Sequence, residues 1–363
     1  KEDRKRKCCE MSRFLSTVAK RTEPYVPGEQ LNQPDIIKLN TNENPYPPSP
    51  KVLAAIQKAL DDNSLQRYPS PTADPLRHAI ADTYGLTKEQ VFVGNGSDEV
   101  LAFSFMAFFE PGKTIKFPEI SYSFYPVYSK IFNIPFEKVP LNQDFTLPME
   151  NFFQSDGGVI LPNPNAPTSI YADLDVIEGI LQQNRDQVVV IDEAYIDFAG
   201  PSAIKLIDRY DNLLVIQTTS KSRALAGLRV GFALGQPELI EGLTRIKDSF
   251  NSYTVDRLAL AGATAAFQDH AYFSESTKKI IRTRERCVQS LIEMGFDVVP
   301  SDANFLFAKP ANLDALVLYE QLKERGILVR HFDQEGINNY LRITIGTDEQ
   351  MEVLVEALKQ LIK

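Results

Sequence analysis

The chain has no tryptophan, only three cysteines and three histidines, and no excess of basic residues. Cys8 and Cys9 are adjacent and Cys287 is remote, so no disulfide framework is expected, and the histidines lack the spacing of a zinc site. A net charge of −9 argues against a nucleic-acid binder, whose footprint would be a basic face. No apolar run approaches the roughly 20 residues of a membrane span, and no signal-peptide pattern opens the chain. We therefore expect a soluble, cytoplasmic protein with no metal, nucleic-acid or membrane partner.

Short apolar runs in the first two thirds of the chain predict a buried sheet. They lie at residues 91–93, 159–161, 188–191 and 213–216. Continuous runs of branched residues suit parallel strands that helices cover on both faces. Beyond about residue 270 the pattern predicts a helix at 279–294, strands at 304–308 and 340–345, and a last helix after a capping box of Thr347 and Gln350. The predicted fold class is α/β: a large domain with a mostly parallel sheet flanked by helices, plus a smaller α+β domain.

Four segments are predicted along the chain. Residues 1–23 form an N-terminal extension, because a basic run from Lys1 to Lys7 stands ahead of Met11. The proline-rich residues 24–50 form an arm that packs on the small domain and the active site, since proline fixes φ and restricts the residue before it. Residues 51–270 form the large, ligand-binding domain, and residues 271–363 form the small C-terminal domain.

One lysine, Lys221, stands just past the fourth apolar run. A lysine at a buried strand end loses hydration, which favours its neutral amine, the form that reacts with carbonyl groups. Ser220 precedes it and Arg229 follows eight residues later, and a hydroxyl with an arginine can hold a phosphate ester. The alternative is a surface lysine in a basic loop.

Polar segments follow the other three runs, and the carboxyl ends of strands in a doubly wound sheet meet at one edge. Residues 94–99 open a helix whose free N–H groups attract anions, although a simple capped helix start is the alternative. Residues 162–168 form a rigid, proline-rich loop. Asp192 is either an ion-pair partner or the partner of a protonated ring nitrogen, and Tyr195 is either a packed aromatic or a donor to a phenolic oxygen.

A lysine, an aspartate, a tyrosine and an anion site at adjacent strand ends favour pyridoxal 5'-phosphate as the cofactor. Lys221 would form a Schiff base with it, and Asp192 would keep its ring nitrogen protonated. Once the substrate displaces the lysine, charge-assisted hydrogen bonds to the phosphate must retain the cofactor. The freed amine of Lys221 is then available to move a proton. A nucleotide is less favoured, since neither a complete dinucleotide fingerprint nor a GxxxxGK[ST] loop occurs.

The segments Ser220-Lys221 and Ala224 to Gly231, with Asp192 to Tyr195, resemble the fold-type I aminotransferases, and the similarity runs from about residue 39 to the C-terminus. The resemblance implies that Lys221 is the Schiff-base lysine, Asp192 the pyridinium partner and Tyr195 the partner of the phenolic oxygen. It also implies further cofactor contacts, in the phosphate cup, on the ring face and at the ring oxygen. These fall on Gly96, Ser97, Asp98, Tyr122, Asn165, Thr218, Ser220 and Arg229. The superfamily commonly has Asn directly before Pro-Thr-Gly, whereas this chain has Ala166, so Asn165 is expected to supply that contact.

The resemblance also implies residues that serve the substrate and a second subunit. Tyr68 resembles the tyrosine that reaches the phosphate of the neighbouring subunit's cofactor, which implies a homodimer with shared active sites. Arg342 matches the arginine that binds the acidic end of substrates, and Arg330 resembles one associated with phosphorylated substrates. The arm at Asn42-Glu43-Asn44-Pro45-Tyr46 looks like the segment that closes over the substrate, with Asn44 and Tyr46 as the expected substrate contacts.

Within this superfamily the chain resembles enzymes of histidine biosynthesis. The resemblance implies transamination between L-histidinol phosphate and 2-oxoglutarate, which gives imidazole-acetol phosphate and L-glutamate. Three alternatives are an aromatic amino-acid aminotransferase, a threonine-phosphate decarboxylase and a non-catalytic homologue that only binds the cofactor. The first would not need Arg330, and the second would release carbon dioxide without a 2-oxo acid.

Overall fold

The computed structural model describes residues 12–24, 28–29, 35–62 and 65–362. Cys8, Cys9, Met11, the basic run at residues 1–7 and part of the predicted arm lie outside these ranges. The strands within them are β1 (Ile37–Lys38), β2 (Val91–Gly94), β3 (Ile115–Pro118), β4 (Phe136–Val139), β5 (Val159–Pro162), β6 (Val189–Asp192), β7 (Leu213–Thr218), β8 (Gly231–Gly235), β9 (Asp297–Val299), β10 (Phe305–Lys309), β11 (Ile327–Leu328), β12 (Arg330–His331) and β13 (Leu341–Thr344).

Eleven α-helices accompany these strands in the same ranges. They are α1 (Thr17–Arg21), α2 (Pro50–Asp61), α3 (Asp74–Tyr84), α4 (Gly96–Phe108), α5 (Phe124–Phe132), α6 (Leu174–Gln182), α7 (Pro237–Phe250), α8 (Arg257–Gln268), α9 (His270–Glu293), α10 (Ala315–Glu324) and α11 (Asp348–Leu361). None of these helices is both long enough and apolar enough to cross a membrane.

A seven-stranded sheet forms the centre of the molecule, in the order β2-β8-β7-β6-β5-β3-β4. The strands from β7 to β4 pair in parallel, and β8 is antiparallel to both of its neighbours. Strand β2 therefore runs in the same direction as β7. The α/β fold with a mostly parallel sheet is confirmed, and the carboxyl ends of β2, β5, β6 and β7 meet at one edge.

The central strands are apolar throughout because both faces of the sheet are buried. All residues of β5, β6 and β7 are buried. Along β6, Val189 and Ile191 belong to one core cluster and Val190 to the cluster on the opposite face. Each fully buried branched side chain contributes about 1.5–3 kcal/mol relative to its exposed form, so the predicted strand runs are also the main source of core stability.

A second sheet, antiparallel and ordered β12-β13-β10-β9, lies in the C-terminal part. Strand β1, from the arm, pairs in parallel with β11, so the chain's N-terminal part joins C-terminal elements. Helix α11 begins after Thr347, and both hydrogen bonds of the predicted capping box are present. Helix α9 begins at His270 rather than at residue 279. The domain boundaries near residues 50 and 270 stay predictions.

Candidate active site

A cleft of about 620 Å³ opens at the carboxyl edge of the central sheet and is also lined by Arg330, His331 and Arg342 of the C-terminal sheet. An inner cavity of about 120 Å³ lies beside it and shares Tyr122, Ala166, Tyr195 and Lys221 with it. The residues that line the inner cavity are Ser97, Asp98, Tyr122, Pro162, Pro164, Ala166, Asp192, Ala194, Tyr195, Thr218, Ser220, Lys221 and Arg229. The structure therefore brings together most of the residues that the sequence patterns single out.

Lys221 lies three residues beyond the end of β7 and is partly buried. Its Nζ lies 3.3 Å from the backbone oxygen of Thr41, to which it donates, and 5.7 Å from the ring centroid of Tyr195. The side-chain amide of Asn44 donates to the backbone oxygens of Lys221 and Ser222, at 3.0 and 3.2 Å. Asn44, expected to bind substrate, thus holds the backbone of the lysine loop.

Asp192 ends β6 and is 6% exposed. The hydroxyl of Tyr125 donates to its Oδ2 at 2.8 Å, whereas its Oδ1 is buried and has no hydrogen-bond partner among the described residues. Burial raises the pKa of Asp192 to about 6, against the opposing effect of the Tyr125 hydrogen bond. A protonated ring nitrogen would supply the missing donor and a compensating positive charge. The site therefore fits the predicted cofactor.

Tyr125 is a functional residue that the sequence patterns do not reveal. It is fully buried in α5, and burial, reinforced by Asp192, raises the pKa of its hydroxyl well above the usual value, so it remains a donor. Its ring meets the edge of Tyr122 at 5.7 Å between centroids. Tyr122 lies just before α5 and Tyr125 in its first turn, and their three-residue separation is the sequence signal that pairs them.

The anion site at the start of α4 depends on close backbone packing. The first N–H groups of a helix have no intrahelical partners, and here they belong to Gly96 and the residues after it. A Cβ on Gly96, whose φ is 79°, would lie 2.7 Å from Nη2 of Arg229. A Cβ on Gly231 would lie 2.2 Å from the backbone nitrogen of Ser97. Only glycine therefore lets β8 and the guanidinium of Arg229 approach this turn.

Hydroxyls complete that site. The Oγ1 of Thr218 lies 3.0 Å from the Oγ of Ser220 and accepts from the backbone N–H of Ser220 at 3.1 Å. Both residues are buried and line the inner cavity. Together with the helix start they form a cup of donors suited to a phosphate.

Asp98 connects the two sides of the inner cavity. Its Oδ1 accepts from the hydroxyl of Tyr122 at 2.7 Å, and its Oδ2 accepts from Nη2 of Arg229 at 3.2 Å. Its backbone oxygen accepts from the hydroxyl of Tyr128 at 2.9 Å. Asp98 therefore fixes the ring of Tyr122, predicted to stack on the cofactor, relative to the arginine of the phosphate cup.

The loop after β5 does not present Asn165 to the inner cavity. The amide nitrogen of Asn165 donates to the backbone oxygen of Ile120 at 3.0 Å and to Oγ1 of Thr168 at 2.8 Å. Ala166 lines the cavity instead, between the cis peptide bonds Asn163-Pro164 and Ala166-Pro167. The amide nitrogen of Asn165 therefore holds the loop together in this structure, and its contact with the ring oxygen stays a prediction.

Tyr195 lines both the inner cavity and the outer cleft. Its hydroxyl accepts from Nδ2 of Asn42 at 3.0 Å, and its ring meets the edge of Phe305 at 5.0 Å between centroids. Asn42 is 1% exposed and lies in the arm, far from Tyr195 in sequence. Its contact with Tyr195 is a second feature that the sequence patterns do not predict.

Arg330 and Arg342 lie directly opposite each other in the register of β12 and β13, and both line the outer cleft. Arg342 donates from Nη2 to the backbone oxygen of Asn40 at 2.9 Å. The guanidinium carbons of Arg330 and Arg342 lie 5.7 and 5.5 Å from the ring centroid of Phe332. Like charges at opposite positions destabilise a sheet, and an anion bound between them offsets that repulsion.

Tyr68 and Tyr46 lie away from the cleft of their own chain. Tyr68 is 78% exposed and stacks on Tyr253, with ring centroids 4.5 Å apart. Tyr46 lies near Lys279, whose Nζ is 5.6 Å from its ring centroid, in a separate depression that Asp348 also lines. Within the described ranges, these two predicted site residues therefore do not join the others.

Known proteins resemble this chain over nearly its whole length. The family model "Aminotransferase class I and II" matches residues 34–358. Histidinol-phosphate aminotransferase 1 of Oceanobacillus iheyensis is 59% identical over 97% of this chain and 99% of its own length. Histidinol-phosphate aminotransferase of Clostridium acetobutylicum is 55% identical over 97% of this chain and 100% of its own. The crystal structure of histidinol-phosphate aminotransferase from Sinorhizobium meliloti in complex with pyridoxal-5'-phosphate matches with a TM-score of 0.87 and 25% identity, over 97% of this chain and 98% of the other.

Proposed function

The chain belongs to the class I and II aminotransferases, and we propose that it transfers the amino group of L-histidinol phosphate to 2-oxoglutarate in histidine biosynthesis. The products are imidazole-acetol phosphate and L-glutamate. The observation that carries the choice of substrate is the pair of facing arginines beside the lysine cavity. The relatives' names support the same reaction.

Pyridoxal 5'-phosphate is the cofactor, and when bound it supplies an electron-accepting ring that lets an amino group move between two carbon skeletons. Asp192 would hold the ring nitrogen, and Tyr195 the ring oxygen. Ser97, Ser220 and Arg229 would hold the phosphate by hydrogen bonds and charge. Each of these residues lines the inner cavity.

Lys221 would act twice, first as the residue that carries the cofactor and then as the base that moves the proton at Cα of the amino donor. Lys221 lines both the inner cavity and the outer cleft, so its amine lies at the boundary between them. A base must lie within hydrogen-bonding reach of the proton that it moves. The position of Lys221 between the cofactor cavity and the substrate cleft supports this role.

The two arginines would bind the acidic ends of both reactants in turn. L-Histidinol phosphate carries a phosphate and no carboxylate, whereas 2-oxoglutarate carries two carboxylates. Planar guanidinium groups bind either kind of anion through paired hydrogen bonds. The phosphate of L-histidinol phosphate carries more negative charge and more acceptor oxygens than the carboxylate of an aromatic amino acid, so two facing arginines favour the phosphorylated donor.

The test is an assay of L-glutamate formation from 2-oxoglutarate with L-histidinol phosphate or L-phenylalanine as the donor. We expect kcat/KM to be far higher for L-histidinol phosphate. We also expect Arg330→Ala to lower it by about 10- to 100-fold, because a charge-assisted pair contributes about 1.5–3 kcal/mol, while Arg330→Lys loses less. A preference for phenylalanine that survives Arg330→Ala would establish the aromatic alternative. Carbon dioxide release without a 2-oxo acid would establish the decarboxylase.

We also infer a homodimer. Large apolar side chains are exposed on α2, on the segment after it, at the end of α7 and just beyond α7: Leu53, Leu60, Leu65, Tyr68, Phe250 and Tyr253. Exposed apolar groups of this kind are typical of protein interfaces. A second subunit that covers them would give Tyr68 a cofactor site to reach. The cytoplasmic location stays a prediction.

A further inference from the structure

Asn42 joins the arm, the C-terminal sheet and the inner cavity through every polar group that it has. Its backbone N–H donates to Oγ1 of Thr344 at 2.9 Å, and its backbone oxygen accepts from Nδ2 of Asn304 at 3.0 Å. Its Oδ1 accepts from Oγ1 of Thr344 at 3.0 Å, and its Nδ2 donates to the hydroxyl oxygen of Tyr195 at 3.0 Å. A buried asparagine with all its groups engaged has one orientation only.

Thr344 fixes which end of the amide faces Tyr195. The Thr344 hydroxyl accepts the backbone N–H of Asn42 and donates its own proton to Oδ1 of Asn42. The amide nitrogen is then the end that faces Tyr195. A phenol oxygen that accepts a hydrogen bond keeps its own proton for donation elsewhere. The proton of Tyr195 is therefore directed away from Asn42.

The inner cavity needs such a donor on this side. Pro162, Pro164 and Ala166 line the cavity there, and none of them has a side-chain donor. Tyr195 packs against the apolar cluster of Ala166, Ala303 and Phe305 and also lines the cavity, so its hydroxyl is a side-chain donor available on this side. The nearby charged group is Lys221, whose Nζ lies 5.7 Å from the Tyr195 ring centroid.

The backbone of Asn42 is also suited to this task. Its φ is 56°, in the left-handed region that asparagine tolerates better than most residues. That turn directs its side chain to Tyr195 while its backbone remains on β13.

We propose that Asn42 is a positioning residue that directs the hydroxyl proton of Tyr195 to the ring oxygen of the cofactor. The inference deepens the proposed function and rests on it. Asn42 also lines the outer cleft, and its proposed effect on the cofactor is exerted through Tyr195.

The experiment measures the pH at which the absorption of the bound cofactor changes, without substrate. A hydrogen bond donated to the ring oxygen favours its anionic form, so losing that bond raises the midpoint. We expect Tyr195→Phe to raise it by on the order of one pH unit. Asn42→Asp should raise it similarly, because a carboxylate accepts the Tyr195 proton. Asn42→Gly, which tolerates the left-handed backbone, should raise it less.

Two comparisons exclude a merely structural effect. In a Tyr195→Phe background, Asn42→Gly should cause no further shift of the midpoint. With Tyr195 present, Thr344→Ser should retain the wild-type midpoint, whereas Thr344→Val should not. The proposal would be overturned if Asn42→Gly and Asn42→Asp both kept the wild-type midpoint. It would also be overturned if Asn42→Gly shifted the midpoint equally in wild type and in the Tyr195→Phe background. An inactive wild-type protein that still shows these shifts would instead refute the proposed function alone.

Discussion

Asp192 is expected to destabilise the cofactor-free protein as the pH rises, and replacing it with asparagine should reveal this cost. Burial raises the pKa of Asp192 from 3.8 to about 6 in the folded chain. Between these two values the folded protein binds more protons than the unfolded chain, so unfolding free energy falls as pH increases. Well above pH 6 the whole penalty is present, because the folded state then holds a buried carboxylate with one oxygen unpartnered among the described residues.

The size of the effect follows from the two pKa values. A difference of about 2 pH units corresponds to about 3 kcal/mol of unfolding free energy. Roughly half of this free energy, on the order of 1 kcal/mol, develops between pH 5 and pH 8. Asp192→Asn can also carry a cost that does not depend on pH, such as a buried amide hydrogen without an acceptor. Such a cost shifts the unfolding free energy of the variant equally at every pH and leaves its change with pH unaltered.

The assay is urea unfolding of the cofactor-free protein between pH 5 and pH 8, with Asp192→Asn compared with wild type at each pH. We expect the stability of the variant relative to wild type to increase with pH. The exposed Asp156, changed to Asn, removes the same charge without burial and serves as the control. A difference between Asp192→Asn and wild type that does not vary with pH would refute a raised pKa at this position. The same variant should bind the cofactor less tightly, so its effects on stability and on function have opposite signs.

Three further predictions concern the same site. Gly231→Ala should weaken phosphate binding and destabilise the fold by about 1–3 kcal/mol, because its Cβ would meet the turn at the start of α4. The control is Gly227→Ala, whose Cβ would enter open space, and this variant should unfold like wild type in thermal melts. Tyr125→Phe should raise the cofactor dissociation constant by roughly tenfold, since it removes a hydrogen bond to a buried carboxylate; unchanged retention in equilibrium dialysis would contradict this role. Mixing inactive Lys221→Ala and Tyr68→Ala proteins should restore activity if sites are shared between subunits, and no gain over the separate proteins would argue against sharing.

Residues whose chemistry depends on their own type and on a nearby strand end could be predicted from the sequence. Lys221 and Asp192 follow continuous apolar runs, and the sheet places both run ends at one edge. Asn42 could not be predicted in this way, because its partners Tyr195 and Thr344 lie 153 and 302 residues away. Local patterns contain no information about contacts of that range.

The loop after β5 shows a different limit. Both Asn165 and its neighbour follow a buried strand, and the choice of which one faces the cavity depends on the backbone path between two prolines. The early start of α9 at His270 is a third case, since its first turns follow α8 almost without a break. Hydrophobic periodicity locates a helix more reliably than it locates the helix end.

On the proposed function, the facing arginines of β12 and β13 would also constrain the order of events in the reaction. If together they form one anion site, that site would hold one acidic end at a time, and the amino donor would leave as its keto product before 2-oxoglutarate enters. The two reactants then compete for the empty cleft, and an excess of either one slows the other's half of the cycle. Inorganic phosphate and sulfate enter the same competition, so a buffer that contains them would mask the affinity of Arg330 and Arg342 for the true substrates.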